Sequence, residues 1–360
     1  MKVVFAALKF DYGVKKRGES LEYKAFYPAL KSNFDNVVPF WLEDNGFPDK
    51  LVSLQESLLK FVEREDPAYV FFILMEYEIF PETLIKLKNS YRIINWFCDD
   101  AWRFDSYTKA AAKYFTYYIT VDKYSIPKYH ELGYNNVIAS QWATFDYVEN
   151  VDLDRTEYKY DVSFIGGKNP TREWIVEHLK KNGIHVVCFG AGWESGKVPY
   201  ETIKEIFLDS KINLNLSNSV SNDIRFIKYL IWRLLITFCK IPIKKPVSSL
   251  RDLKFYLGSI KYYFFGRKRV ESVKARNFEI PGCGGFQLSQ FALELEDYYQ
   301  IGKEITVFSN TDDLVKQVEY YLRFGNEREK IRKNGYLRTR EHTYDLRLNK
   351  ILKSLELNQV

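Results

Sequence analysis

The sequence predicts an α/β protein with two open parallel sheets in series, and three observations carry that prediction. A length of 360 residues exceeds one ordinary domain and suits two of about 150 to 180 residues. Hydrophobic residues make up 46% and charged residues 28%, the balance of a chain that buries sizeable cores rather than one that stays disordered or spans a bilayer. Short β-branched or aromatic runs alternate with amphipathic stretches, which is the pattern of parallel strands joined by crossover helices.

In the first half the strand candidates are VVFAAL, NVVPF, YVFFILM, YRIINWF, YYITV and NVIAS. Between them, Ser20–Lys31, Lys50–Glu65, Pro81–Lys88, Tyr107–Tyr114 and Ser125–Leu132 read as helices. The last has Pro127 near its start and Gly133 just past its end, the usual asymmetry of helix start and stop. A polar stretch over 149–160, containing VDLDRTEYKY, breaks the alternation and reads as a linker. A second series follows: DVSFI, a helix over Thr171–Lys181, IHVVCFG, a helix over Tyr200–Asp209, and INLNLS. After a basic segment come a helix near Arg276–Pro281, GFQL, ITVFS, and helices over Thr311–Phe324 and from Glu327 to Thr339. The expected boundaries are 1–150 for the first domain and 151–338 for the second with an insertion at 225–270, leaving 339–360 as a terminal segment.

Several function classes lose support. No apolar run approaches the roughly 18 residues that cross a bilayer. The start, MKVVFAALKF, lacks a full export-signal pattern and reads as a buried strand. Cys98, Cys188, Cys239 and Cys283 are widely scattered, as suits a reducing cytoplasmic setting rather than a disulfide scaffold or a zinc site. His130, His178, His185 and His342 show no metal-ligand spacing. The net charge is 53 − 47 = +6, unevenly spread. Residues 225–270 hold twelve Lys or Arg and one acid, Asp252, for 12 − 1 = +11, which leaves −5 on the rest.

Open parallel sheets bind ligands beyond the carboxyl ends of their strands, so the residues just after each strand are the informative ones. Phe164-Ile-Gly-Gly-Lys-Asn-Pro-Thr-Arg172 is a strand running through Gly166 and Gly167 into a helix capped by Asn169 or Thr171. Glycine backbone can approach a phosphate there, and Arg172 in the first helical turn is poorly placed against the dipole unless it holds an anion. The same residues would also make a tight turn with a solvated arginine. The span from Glu271 to Phe286 packs Lys274 and Arg276, the acid Glu279, and a turn with Gly282, Gly284 and Gly285 close together. A carboxylate can accept both hydroxyls of a ribose, and cations can hold a diphosphate. An i,i+3 surface pair ending in a glycine cap fits the same residues. Asp99-Asp100-Ala-Trp102-Arg103 follows YRIINWF directly, so one of the two carboxylates could take a proton from a hydroxyl substrate, or could cap the next helix.

The blocks DYGVKKRGESLEYKAFYPAL, INWFCDDAWRF, TVDKYSIPKYHELGYNNVIASQWA, VSFIGGKNPTR, ARNFEIPGCGGFQLS and REKIRKNGYLRTREHTYDLRLNKIL resemble, in order, those of the CgeB-like spore-maturation glycosyltransferases. That resemblance implies a GT-B fold: two Rossmann-like domains facing a cleft, with the last helix crossing back to the first domain. It implies a nucleoside diphosphate sugar as donor, bound mainly by the second domain with Glu279 on the ribose, and the candidate contacts there are Gly166, Gly167, Arg172, Lys274, Arg276, Gly284, Gly285 and Phe286. Glu271, eight positions before Glu279, would contact the sugar, and Gly196–Tyr200, with Val198 and Tyr200, would meet the base. It places the acceptor mainly on the first domain, where Lys9–Glu19, with Tyr12, Gly13 and Arg17, follows the first strand and reads as the acceptor loop beside Trp102 and Arg103. Asp99 or Asp100 is the candidate base, a glycan or lipid-linked hydroxyl the expected acceptor, and no cofactor or metal is expected. A nucleotide-sugar epimerase and a non-catalytic glycan-binding protein can share the fold.

The basic segment begins RFIKYLIWRLLITFCK, whose Arg225, Lys228, Arg233 and Lys240 gather toward one side of a helix and leave a broad apolar face. It continues with Lys and Arg interleaved among Tyr and Phe. That pattern suits the inner, anionic face of a membrane better than nucleic acid, and it also suits a helical insertion packed on its own domain.

Overall fold

The computed structural model describes residues 1–144, 148–149, 151–216, 223–239, 246–266, 268 and 270–357. The chain divides into two compact units, Met1–Phe145 with Glu341–Val360, and Asp146–Arg340.

The first unit holds six strands: β1 (Lys2–Ala7), β2 (Asn36–Trp41), β3 (Tyr69–Phe72), β4 (Arg92–Phe97), β5 (Tyr117–Thr120) and β6 (Val137–Ala139). They run parallel in the order β2-β1-β3-β4-β5-β6. Strand β1 shows why such strands read as unbroken apolar runs. Successive residues point to opposite faces, and both faces are covered. Val4 and Ala6 join one core cluster with Leu54, Leu58 and Val62 of the helix Leu51–Glu65. Val3, Phe5 and Ala7 join another with Phe26, Ala29 and Leu30. The helix Tyr344–Leu357 closes this second face through Tyr344, Leu348, Ile351 and Leu355, spaced along one stripe, with the Tyr344 ring 4.6 Å from that of Phe26.

Two expected helices are interrupted. A π-helical turn, Glu22–Phe26, precedes the helix Tyr27–Asn33, and another, Phe104–Thr108, splits the helical stretch after β4. Hydrophobic spacing does not register such wide turns, because they insert one residue into the 3.6 period.

The second unit holds β7 (Tyr160–Ile165), β8 (Val187–Phe189), β9 (Ser210–Asn215), β10 (Gln287–Gln290) and β11 (Thr306–Phe308), parallel in the order β11-β10-β9-β7-β8. The described residues of the expected linker do not run free. Arg332, almost fully buried, donates to Leu153 O at 2.8 Å and to Gly284 O at 3.0 Å, and Lys333 pairs with Asp154. Within the basic insertion two helices, Ile224–Cys239 and Pro246–Phe265, pack on each other and on the helix Pro170–Lys181. Residues 240–245, 267 and 269 of that insertion lie outside the described residues. No described helix is long and apolar enough to cross a membrane.

Candidate functional site

The carboxyl edge of the first sheet is shaped by the loops that leave β1, β3 and β4. After β1, the N–H groups of Lys9 and Phe10 donate to the carboxylate of Glu43 at 3.0 and 2.8 Å, which pins the start of the loop. Tyr12 and Gly13 then both take left-handed backbone, with φ of 53° and 70°. A Cβ on Gly13 would stand 2.9 Å from the Phe47 ring, so this turn needs glycine. The turn presents Tyr12 with 68% of its surface exposed and the Arg17 guanidinium 4.3 Å above its ring.

After β3, the Glu78 carboxylate folds back to accept from the N–H groups of Met75 and Glu76 at 3.0 and 2.8 Å. Burial raises the Glu78 carboxyl above its ordinary range, and these bonds pull against that rise. Arg103 braces the same loop, donating to Met75 O at 2.7 Å and to Glu76 at 2.9 Å, while Tyr107 donates to Glu76 O. Together these loops enclose a cavity of about 570 Å³. Its walls are aromatic, from Tyr12, Phe47, Tyr77 and Trp102, and its polar groups are Glu76, Glu78, Asp99 and Arg103.

The sequence placed Tyr12, Trp102, Arg103 and Asp99 near one another, and all four line this cavity. Gly13 supports the turn beneath it, and Arg17 acts on it only through Tyr12 and Asp11. Asp100 corrects the expectation of two candidate bases. It is wholly buried and accepts from the Tyr129 hydroxyl at 3.0 Å. Burial pushes its carboxyl up to about 6, against the pull of Thr108, Thr120 and Tyr129. A carboxylate sealed among those hydroxyls cannot reach a substrate, so only Asp99 remains at the surface of the site. Glu76, Glu78 and Phe47 were missed, although EYEIF, with both acids, follows directly on the strand YVFFILM, which was the available signal for the two glutamates. Another cavity, about 610 Å³ between Met1, Pro67, Arg92 and Leu352, lies at the amino ends of β3 and β4, the wrong edge for a ligand of an open parallel sheet.

The carboxyl edge of the second sheet is built differently. Strand β7 ends at Ile165, and the Asn169 side chain caps the helix Pro170–Lys181 by accepting from Arg172 N at 2.8 Å. Gly166 is closely packed: a Cβ there would meet the Phe164 ring at 2.7 Å, while at Gly167 it would meet nothing within 4 Å. Gly167 is therefore the open backbone. The Arg172 guanidinium binds Leu216 O at 2.9 Å and Gly167 O at 2.8 Å, tying the ends of β7 and β9 together. Burial and the neighbouring Arg276 push its pKa down to about 10, and Glu271 opposes that. Two guanidiniums thus stand within each other's field. Arg276 pairs with Glu279 at 2.8 Å, one turn along the helix Arg276–Gly282, and Glu279 is only 8% exposed. Lys274 is half-buried, its N–H donating to Asn277 at 3.0 Å. Val198 packs on the cluster of Ile165, Phe189 and Phe207, and Tyr200 opens the helix Tyr200–Leu208. Lys168 was missed; its ammonium pairs with Glu173 at 2.9 Å beside the Trp193 ring.

Three expected donor residues lie elsewhere. Gly284, with φ of 76°, would place a Cβ 2.5 Å from Val151, and Gly285 would place one 2.8 Å from the Asn213 amide. Phe286 is fully buried, its ring 4.9 Å from that of Tyr321. All three precede the first residue of β10 and so sit at the amino edge of the sheet. They serve packing, not ligand contact. Among the described residues no three His, Cys, Asp or Glu side chains gather as a metal site.

A family model described as glycosyl transferase-like matches residues 242–353. No curated protein matches the chain. Among solved structures, HepE of Anabaena in complex with UDP is similar at 9% identity and a TM-score of 0.53, over 99% of this chain and 100% of that one. The lipopolysaccharide outer core galactosyltransferase WaaB is similar at 11% identity and a TM-score of 0.56, over 98% and 99%. Sucrose-phosphate synthase of Thermosynechococcus elongatus is similar at 8% identity and a TM-score of 0.53, over 99% of each chain. At such identities the likeness is one of fold, and the two Rossmann-like units of this chain have the GT-B architecture.

Proposed function

We propose that this protein is a glycosyltransferase that moves a sugar from a nucleoside diphosphate sugar to a hydroxyl acceptor in the synthesis of a surface polysaccharide or glycoconjugate. The observation that carries the proposal is that the guanidiniums of Arg172 and Arg276 stand in each other's field, with Glu279 paired to Arg276, the charge of Glu271 acting on Arg172, and Arg172 bound to the open backbone of Gly167. Like-charged side chains held together at the edge of a sheet favour a polyanion, and a diphosphate has the charge and the paired oxygens that planar guanidinium forks can grip. On this reading Glu279 accepts the ribose hydroxyls, Glu271 meets the sugar, and Val198 with Tyr200 flanks the base. Lys274 adds charge at the start of the same helix.

The reaction breaks the bond between the anomeric carbon and the diphosphate oxygen, which leaves with the electron pair. Arg172 and Arg276 carry the charge that develops there. A new bond forms from the acceptor oxygen to the anomeric carbon, and the acceptor's proton passes to Asp99. The aromatic walls of the first-unit cavity suit the faces of a saccharide, and its carboxylates suit hydroxyls. The order of sequence blocks supports a place among the CgeB-like enzymes. We further read the protein as cytoplasmic and docked on the inner membrane face through residues 225–270, with a glycan or lipid-linked acceptor.

The test is to incubate the purified protein with a panel of nucleoside diphosphate sugars, with and without short saccharides, and to follow free nucleoside diphosphate and products by mass spectrometry. Acceptor-dependent release with a product heavier by one sugar is expected. An isomerised donor without acceptor would make the protein an epimerase, and binding without consumption would make it a glycan- or nucleotide-binding protein.

A further inference from the structure

The helix pair of the basic insertion has two sides, and only one is used by the fold. In Ile224–Cys239, Phe226, Ile227, Tyr229 and Leu230 are buried in the core of the second unit. The opposite stripe is apolar too: Ile224 is 63% exposed, Leu235 60%, and Ile231 and Trp232 48% each, with Lys228 among them. A helix that is apolar all round is normally covered on every side. In Pro246–Phe265 the inward residue Tyr256 is buried, with Ile260 and Tyr263 packed against the same core. Its outward stripe carries Lys254, Leu257, Lys261, Phe264 and Phe265, the last 80% exposed.

The cations of the pair divide between the two sides. Arg225 pairs with Asp223 and Asp312, and Arg233 pairs with Glu173 and Glu177, so these two are spent within the second unit rather than on an outside partner. That corrects the expectation that all the arginines and lysines of this helix serve one polar side. Lys228, Lys254 and Lys261 make no ion pair among the described residues. Lys181, at the end of the helix Pro170–Lys181, adds a further cation 5.9 Å from the Trp232 ring.

We propose that this outward face docks the protein on an anionic lipid bilayer, with Trp232, Leu235, Phe264 and Phe265 entering the headgroup boundary and Lys228, Lys254 and Lys261 meeting the lipid charge. The inference deepens the membrane-facing part of the proposed function and rests on it, while the sugar chemistry stands apart from both. Lysines spaced among aliphatic and aromatic side chains, with no described acid in the stripe, are complementary to phospholipid headgroups above acyl chains. A second copy of the chain fits less well, because a two-fold contact through this face would oppose its lysines to one another. Neither helix crosses the bilayer, so the pair lies along the surface.

Flotation of the purified full chain with phosphatidylcholine vesicles, and with vesicles containing phosphatidylglycerol as well, tests this. Binding is expected only to the anionic vesicles and should fall as salt rises. The triple change Lys228→Gln, Lys254→Gln and Lys261→Gln is expected to weaken it by on the order of a hundredfold. Trp232→Ser with Phe265→Ser should weaken it as well, with the thermal midpoint kept, and Trp232→Phe should remove a blue shift of fluorescence on binding. No flotation by the parent, equal flotation with neutral vesicles, or a dimer in ultracentrifugation that the same changes dissolve would each overturn the proposal. Nucleoside diphosphate binding on the same preparations separates the two failures: binding without flotation sinks the docking face alone, and flotation without binding sinks the sugar chemistry alone.

Discussion

The carboxyl edges of the two sheets present opposite chemistry on similar frames. The first gathers Glu76, Glu78 and Asp99 among four aromatic side chains, with Arg103 engaged in bracing its own loop. The second gathers Arg172 and Arg276 beside an open glycine and a capped helix start. In both, the groups come from the connections between parallel strands, mostly on loops in the first and in the first turns of the helices Pro170–Lys181 and Arg276–Gly282 in the second, so the sheet determines where they stand and the connections determine their charge. Under the proposed function this difference is a division of labour: an acidic, aromatic edge suited to hydroxyls and proton removal, and a basic edge suited to a leaving diphosphate.

The largest expected effect breaks the first edge. Asp99→Asn should lower turnover by roughly 10²- to 10⁴-fold, the usual contribution of a positioned base, with nucleotide affinity unchanged. Rate assays against calorimetry on the same variant check it; an unaltered rate would move the base to Glu76 or Glu78. On the second edge, Arg172→Lys keeps one charge but loses the fork that binds Leu216 O and Gly167 O. It should weaken nucleoside diphosphate binding by about 1.5 to 3 kcal/mol, readable by titration, with a smaller loss for the nucleoside.

Much of this comparison was legible in the sequence, and the failures have physical causes. Strands covered on both faces write themselves as unbroken apolar runs, so VVFAAL and YRIINWF could be placed directly. Gly284 and Gly285 misled because a glycine turn looks the same whether its backbone meets a phosphate or another part of the chain; here it meets Val151 and Phe207 O. Adjacent acids misled for a related reason. Asp99 faces the cavity while Asp100, opening the short helix Asp100–Arg103, turns inward to Tyr129, and composition does not record that turn.

Smaller effects sharpen those two corrections. The Asp100 carboxyl titrates at about 6 in the folded protein against an ordinary value of 3.8. The folded state therefore holds the proton more tightly, so stability should fall as pH rises from about 4 to about 6 and level off above. Asp100→Asn should remove this group's part of the slope, as chemical denaturation across that range would record; an unchanged slope would mean that other groups set it. Gly284→Ala should cost about 1 to 3 kcal/mol of stability through its left-handed backbone and the contact with Val151, with nucleotide affinity kept in the folded fraction. A selective loss of affinity would return Gly284 to the donor site.

We propose that the second edge holds a nucleoside diphosphate through Arg276 and its ribose through Glu279. Calorimetric titration of the parent, Arg276→Ala and Glu279→Ala with a nucleoside diphosphate and with the matching nucleoside tests it most directly. Arg276→Ala is expected to weaken only the diphosphate by a large factor, and Glu279→Ala to weaken both ligands alike. Equal losses of both ligands in Arg276→Ala, or affinities unchanged in either variant, would contradict it.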